Sequence, residues 1–364
     1  MNTRNSSLPP RSNGQQTNPR KQPVNRGGKS KAKRKKRGFL ARLGRTLLLL
    51  VIVVILAALC YGGYVYWKLN HGLFDTGISK PVAAGQSASV KPLTILLLGT
   101  DNRPKHASQL TDVIMVATLN PKTKSATIVS LPRDTYVELS GYKKTKINEF
   151  YSRFKSKEKT SGILALDEMK TMMGKYLDIK VDYVTILDFQ GFRDVVDELG
   201  TVSVNISEDM CYTDSVDGTN INLKEGPAKL DGDNALDYVR YRKSNCNPKT
   251  KASDDFDRNK RQNEVLNSLI DGMQSVRGVM KIGGVLDAVD DNMKTDIENA
   301  QLKDMIATYW KISKDNVEFK PVTGTWRSPY VYINEEELEA AKKSLQDRAA
   351  GVFLPSVSDS SESP

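Results

Sequence analysis

Carboxylates and arginines stand at the ends of what the residue pattern marks as regular elements. Asp101 follows the apolar run Leu93–Leu98, Asp112 precedes Val113–Leu119, and Arg133 follows Ser125–Leu131. All three runs are β-rich, and 120–124 is a short turn between the last two. In a meander, the end of the first strand, the start of the second and the end of the third share one edge. Asp101, Asp112 and Arg133 then come together. Two carboxylates without a denser ligand cage suit Mg²⁺ or Mn²⁺, ions that keep open positions for substrate phosphate oxygens. The alternative is that both aspartates are turn and cap residues.

Arg240 and Arg242 flank Tyr241 after a short helix. A spacing of two puts them on one side only where the backbone is extended. Two guanidiniums on one side clamp phosphate oxygens in a bidentate manner; the bland alternative is a solvated basic patch. Arg258 and Gln262 are four apart on a predicted helix, and Val265 and Leu269 continue that face. A polar head above an apolar stripe suits a phosphate above a lipid tail, although an ordinary amphipathic core helix has the same pattern.

Other chemistries lack the residues they need. There are two histidines, His71 and His106, both in linker or loop sequence, so a Ser–His or Cys–His pair is hard to build. No Cys/His spacing suggests zinc, and no glycine-rich loop matches a nucleotide-binding fingerprint. Cys211 and Cys246 allow one disulfide if the domain lies outside the cell; otherwise they are free thiols.

Positioning these residues requires mixed secondary structure. Beyond the first three strands, the pattern predicts helices over 163–176, 189–199, 233–239, 254–270, 278–289, 297–312 and 334–345, and strands over 183–187, 202–206 and 317–321. The fold class is layered α/β, α-β-α, with a central mixed sheet flanked by helices and one transmembrane helix before it.

The formal net charge of +11 is unevenly spread. Residues 1–45 carry 14 of the 54 Lys and Arg and no acid, leaving 40 basic against 43 acidic side chains. That distribution argues against a nucleic-acid-binding domain. Residues 1–45 read as a disordered basic tail and 46–67 as an uncharged membrane span, long enough for ~30 Å of hydrocarbon, with Tyr61, Tyr64, Tyr66 and Trp67 as its outer aromatic belt. The positive-inside rule places the N-terminus in the cytoplasm and the rest outside. A cleaved signal peptide is the alternative, but the apolar run is long and no clean small-residue cleavage site follows it. Residues 68–91 read as a linker, 92–350 as the folded domain, and 351–364 as a Ser-rich disordered tail.

Seven segments occur in an order that resembles the LytR-CpsA-Psr family: LLLGTDNRP (96–104), TDVIMVATLNP (111–121), SLPRDTYVEL (130–139), KINEFY (146–151), FRDVVDELGTVSV (192–204), LDGDNALDYVRYR (230–242) and DFDRNKRQNEVL (255–266). The resemblance implies an extracytoplasmic phosphotransferase in a Gram-positive-type envelope. Such an enzyme moves an anionic glycopolymer, wall teichoic acid or capsular polysaccharide, from undecaprenyl-pyrophosphate onto a hexose hydroxyl of peptidoglycan. By motif position, Asp101 and Asp112 match the Mg²⁺-holding acids. Arg133, Arg240, Arg242, Arg258 and Gln262 match residues that contact the pyrophosphate, with Asp101, Asp112, Arg133, Arg240 and Arg242 as the catalytic set. In the family the isoprenoid tail enters a channel among apolar side chains. One departure stands out: Leu110 occupies a position usually held by Arg, and Arg103 or Lys105 is near enough in sequence to reach the same phosphate.

Two other readings remain beside this one. A membrane-bound transcriptional regulator would work through the basic tail, which lacks helical periodicity and a DNA-binding fold. A non-catalytic receptor would hold the lipid-linked polymer without turnover.

Overall fold

The computed structural model describes residues 62–64, 80–83, 85–101, 110–216, 218–253, 255–310 and 312–352. The chain divides into two units, Met1–Leu59 and Cys60–Pro364, and only the second contains described residues. The basic tail and the expected span at 46–67 lie outside the described residues, except for helical 62–64. Among the described residues no helix is long and apolar enough to cross a membrane.

The predicted meander forms. Strands β1 (Leu93–Thr100), β2 (Thr111–Asn120) and β3 (Ser125–Ser130) pair antiparallel in sequence, with Leu96 opposite Val116 and Val116 opposite Val129. After the short pair β4 (Tyr136–Val137) and β5 (Thr145–Lys146), helices α1 (Phe150–Ser161) and α2 (Ala165–Leu177) lead to β6 (Tyr183–Asp188). β6 runs parallel to β1. Helix α3 (Phe189–Leu199) follows, capped at its start by Asp188, whose carboxylate accepts from Gly191 N–H at 2.9 Å.

The hairpin strands β7 (Val202–Ile206), β8 (Met210–Asp214), β9 (Thr219–Leu223) and β10 (Gly226–Leu230) come next, then α4 (Gly232–Arg240), α5 (Asp255–Gln274) and α6 (Val276–Asp290). β11 (Met293–Thr295), α7 (Asn299–Tyr309), β12 (Val317–Pro321), the hairpin β13 (Gly324–Arg327) and β14 (Tyr330–Ile333), and α8 (Glu335–Ala350) complete the domain. The main sheet has the order β11-β6-β1-β2-β3-β12, with parallel and antiparallel neighbours. It is the mixed sheet expected.

Strand alternation assigns the two faces. Leu96, Leu98, Ile114, Val116, Val184 and Ile186 are buried in a core with Phe150, Met169, Met172, Met173 and Leu345 from α1, α2 and α8. The intervening Leu97, Gly99, Val113, Met115, Thr185 and Leu187 are only partly buried and line a cavity on the opposite face. A second core, from Val196 through Val204, Ile221 and Tyr238 to Val265, holds the hairpins together with α3, α4 and α5.

Several elements lacked a sequence signal. α1 was not predicted; its face is polar and only Phe150 and Tyr151 are buried. β8, β9 and β10 alternate polar and apolar residues too weakly, and β11, β13 and β14 are too short, for periodicity to mark them. Helices expected at 163–176 and 297–312 are Ala165–Leu177 and Asn299–Tyr309. Gly162, at φ 71, caps α1 and separates it from α2. The packed part also begins before residue 92: Ala88 is fully buried, and its N–H donates to Gln301 Oε1 at 3.0 Å.

Candidate active site

Asp112 lies within β2, where alternation would send it with Ile114 and Val116 into the closed core. A β-bulge prevents this. Gly99 pairs with Val113 and Thr100 with Thr111, so Asp112 is the extra residue between two pairings. Bulges re-aim side chains, and Asp112 lines the cavity.

Arg133 comes from a turn after β3. Thr135 N–H donates to the Pro132 carbonyl at 3.1 Å, its hydroxyl donates to the same oxygen at 2.6 Å, and Asn148 N–H donates to the Arg133 carbonyl at 3.2 Å. So held, the Arg133 guanidinium donates from Nη1 to Asp112 Oδ1. Its Nε is buried without a hydrogen bond, 3.6 Å from Asp134 Oδ2. Asp134 also receives Lys146 Nζ at 2.8 Å and lies 3.8 Å from Arg242 Nη2. One carboxylate thus stands among three cations.

Arg240 is the last residue of α4, and Tyr241 follows at φ −53, ψ 131. That extended step satisfies the condition for the Arg240/Arg242 pair. Tyr241 turns inward and is fully buried, while Arg240 and Arg242 both line the cavity. The Arg240 guanidinium sits 5.1 Å from the centre of the Phe189 ring, a cation–π contact. Along α5, Arg258, Gln262, Val265 and Leu269 line the same cavity, as their spacing predicts. Ser130 Oγ donates to Gln262 Oε1 at 3.4 Å, linking α5 to β3.

The cavity holds about 540 Å³, within the range of ligand pockets. Much of its lining is apolar: Leu97, Met115, Phe192, Ile221, Leu236 and Leu266 contribute from sheet, hairpin and helices. Asp112, Arg133, Arg240, Arg242 and Arg258 line it as well. The arrangement can hold an anionic group beside a long apolar one.

Asp101 directly follows β1, whose last residue Thr100 pairs with Thr111 on one side and Asp188 on the other. It shares the strand edge with Asp112 but is not among the cavity-lining residues. Arg103 lies outside the described residues, as does Lys105. Two charged lining residues escaped sequence reasoning, Asp188 and Lys243. A carboxylate at the carboxyl end of a parallel strand, where ligands gather in open α/β sheets, was the available signal for Asp188. Lys243 had only its closeness to Arg242.

The carboxylates along this edge fit a hard divalent cation. The donors are carboxylate oxygens, and no three His, Cys, Asp or Glu side chains group into a metal cage among the described residues. Mg²⁺ needs no such cage, because one or two carboxylates and the substrate's phosphates suffice.

Comparison with known proteins agrees with this architecture. The polyisoprenyl-teichoic acid–peptidoglycan teichoic acid transferase TagT of Bacillus subtilis (strain 168) is 31% identical over 336 residues, 86% of this chain and 97% of TagT. The crystal structure of B. subtilis TagV superposes with a TM-score of 0.56 at 30% identity, covering 73% of this chain and 99% of that one. A structure of the LytR-CPS2A-psr family protein YwtF (TagT) with bound octaprenyl pyrophosphate lipid gives a TM-score of 0.51 at 27% identity, covering 74% of this chain and 94% of that one. The LytR_cpsA_psr family matches residues 74–347, most of the chain, and this protein belongs to that family.

Proposed function

We propose that this protein is a phosphotransferase that attaches an anionic glycopolymer, wall teichoic acid or capsular polysaccharide, to peptidoglycan, drawing it from an undecaprenyl-pyrophosphate carrier. The observation that carries this reading is the joining of an apolar cavity of about 540 Å³ to four arginines and Asp112. The teichoic acid transferase relatives and the octaprenyl pyrophosphate bound in one of them support it.

In this reading the isoprenoid chain lies along Leu97, Met115, Phe192 and Leu266, and the pyrophosphate lies among Arg133, Arg240, Arg242 and Arg258. Arg103 is a further candidate for contact with it. Gln262 donates its amide N–H groups to a phosphate oxygen. An acceptor hydroxyl attacks the sugar-bearing phosphorus, the bond from that phosphorus to the bridging oxygen breaks, and undecaprenyl phosphate leaves. The arginines neutralise charge that spreads over the phosphoryl oxygens; such chemistry depends on positioning and electrostatics more than on a covalent nucleophile. The acceptor proton goes to a carboxylate, for which Asp101 is the candidate. Asp134, ringed by Lys146, Arg133 and Arg242, serves instead to hold the cations in place. Asp101 and Asp112 are the residues to hold Mg²⁺ or Mn²⁺, which supplies Lewis-acid stabilisation of pyrophosphate oxygens when bound.

The domain works outside the cytoplasm, held by a single span at 46–67 with its N-terminus inside. The charge asymmetry of residues 1–45 supports that topology. A disulfide between Cys211 and Cys246, with Cα atoms 5.9 Å apart, is in keeping with an oxidising compartment. Leu110 favours a second reading, binding without turnover.

The test uses the full chain in detergent with a polyprenyl-pyrophosphate glycan, an acceptor glycan and Mg²⁺. Transfer is expected from the wild type and its loss from Arg240→Ala and Asp112→Asn. Binding of the carrier without transfer would select the receptor reading, and unimpaired variants would sink the site assignment. Dependence of turnover on added Mg²⁺ after chelation tests the metal.

A further inference from the structure

Helix α5 buries a polar side chain that the fold leaves unpaired. Asn259 is 8% exposed, and its Nδ2 is buried with no hydrogen-bond partner among the described residues. A buried amide N–H without an acceptor destabilises a fold, and alanine suits a helix interior better than asparagine. A group of this kind calls for a reason outside the packing.

Its position supplies one. Asn259 stands three residues before Gln262 and seven before Leu266, so the helical period sets it beside the face of α5 that lines the cavity. Next to that cavity is a narrow niche of about 10 Å³, lined by Asn259 with Asp112, Ser130, Arg133, Arg258 and Gln262. Asp112, Arg133, Arg258 and Gln262 line the large cavity as well. The niche has room for about one oxygen-sized group. Arg133 brings a second such donor, since its Nε is also buried without a hydrogen bond. Ser130 Oγ donates to Gln262 Oε1 at 3.4 Å, which turns the oxygen of that amide to β3 and leaves its N–H groups to donate elsewhere. The acid in this lining, Asp112, accepts from Arg133 Nη1.

We propose that Asn259 is a further substrate-binding residue, whose Nδ2 donates to one non-bridging oxygen of the carrier's pyrophosphate seated in this niche. The proposal rests on the carrier reading above. Unpaired N–H donors beside guanidinium groups select an anionic acceptor. The volume admits a single oxygen and excludes a sugar ring or an isoprenoid unit. A non-bridging oxygen projects singly from its phosphorus, so it enters the niche while the phosphorus stays in the larger cavity among Arg133, Arg258 and Gln262. The amide is also oriented in advance. Val265, on the same helix, is buried in the second core, so the donor is held in place before the carrier arrives and little ordering cost remains.

The experiment measures binding of octaprenyl pyrophosphate and of octaprenyl monophosphate to the full-length protein in detergent, for the wild type, Asn259→Ala and Asn259→Asp, with the melting temperature of each without lipid. Asn259→Ala is expected to weaken pyrophosphate binding by about 10- to 100-fold, as for the loss of a hydrogen bond to a charged acceptor. It should melt at or above the wild-type temperature, because an unpaired buried group has gone. Asn259→Asp should bind more weakly still, since a carboxylate repels the oxygen that the amide attracts. Equal weakening for the monophosphate upholds the proposal with the oxygen on the lipid-side phosphate. Weakening confined to the pyrophosphate upholds it with the oxygen on the phosphate that bears the sugar in the full carrier. Unchanged binding by Asn259→Ala overturns the proposal, and a lower melting temperature beside it would show a purely structural amide. Tighter binding by Asn259→Asp than by Asn259→Ala, as expected of a residue that serves a bound cation, overturns it too. A wild type that binds neither lipid overturns the carrier reading and this proposal together, whereas equal binding by wild type and Asn259→Ala overturns the proposal alone.

Discussion

Arg261 donates from Nη2 to the backbone carbonyl of Tyr241 at 3.0 Å, and through that bond helix α5 determines how the chain leaves α4. Its Nη1 donates to the Tyr238 carbonyl at 2.7 Å. The side chain is 4% exposed, and its guanidinium lies 5.7 Å from both tyrosine rings. Burial lowers its pKa, yet arginine stays protonated. A cation here caps the C-terminal carbonyls of α4 and opposes the negative end of its dipole.

Arg261→Met leaves two buried carbonyls without a donor, which costs about 2–4 kcal/mol. Thermal unfolding is expected to fall by roughly 5–10 °C for a domain of this size. Transfer per folded molecule falls as well, because Arg240 and Arg242 lose their fixed exit from α4. Arg261→Lys regains charge but not the two-pronged geometry, so it should recover stability better than activity. A variant that melts like the wild type refutes the assignment.

Asp112 and Arg133 form one unit through their charge-assisted hydrogen bond. Arg133→Ala and Asp112→Asn are each expected to lower kcat/KM for transfer by about 10²–10³. The double variant should lose far less than the product of the two, since groups acting together are non-additive. Additive losses in a double-mutant cycle would show two independent roles.

Leu266 is part of the cavity's apolar lining. Leu266→Trp fills part of it and should raise KM for a long polyprenyl carrier while affecting a short-chain analogue much less. Equal effects on both would show that the tail does not occupy this volume.

Gly232 opens α4 against α3, where an added Cβ would lie 2.5 Å from the Arg193 carbonyl oxygen. A helical Gly→Ala usually stabilises by up to about 1 kcal/mol. Here the sign should reverse, with a loss of about 1–3 kcal/mol from overpacking, measured by urea unfolding.

The Cys211–Cys246 bond joins β8 to the segment after Arg242, across a separation of 35 residues. Cys211→Ser/Cys246→Ser is expected to lose about 2–4 kcal/mol, seen as a lower urea midpoint. Thiol titration of the unfolded wild type before and after reduction tests whether the bond is present.

Much of the site was legible in local pattern. The three apolar runs and the turn at 120–124 imply the meander, and the meander implies the shared edge of Asp101, Asp112 and Arg133. The four-residue step from Arg258 to Gln262, continued by Val265 and Leu269, implies one helix face. Arg261 belonged to the same run of residues yet carried no such mark. Its partners are carbonyls of Tyr238 and Tyr241, and any buried arginine has the same letter in the sequence.

The sequence alone determined the charge asymmetry of residues 1–45, the strand and helix periods of most of the sheet's elements, and the family resemblance, because these are properties of residue type and spacing. The tertiary structure decided that Asp112 escapes its strand's alternation through a bulge, that Tyr241 turns inward so Arg240 and Arg242 share a side, and that the β13–β14 hairpin is tied by Val331 N–H to the Asp134 carbonyl. Each depends on bonds between residues far apart in the chain. Such bonds are satisfied only after the layers pack, and they leave no periodic trace in the segments that make them.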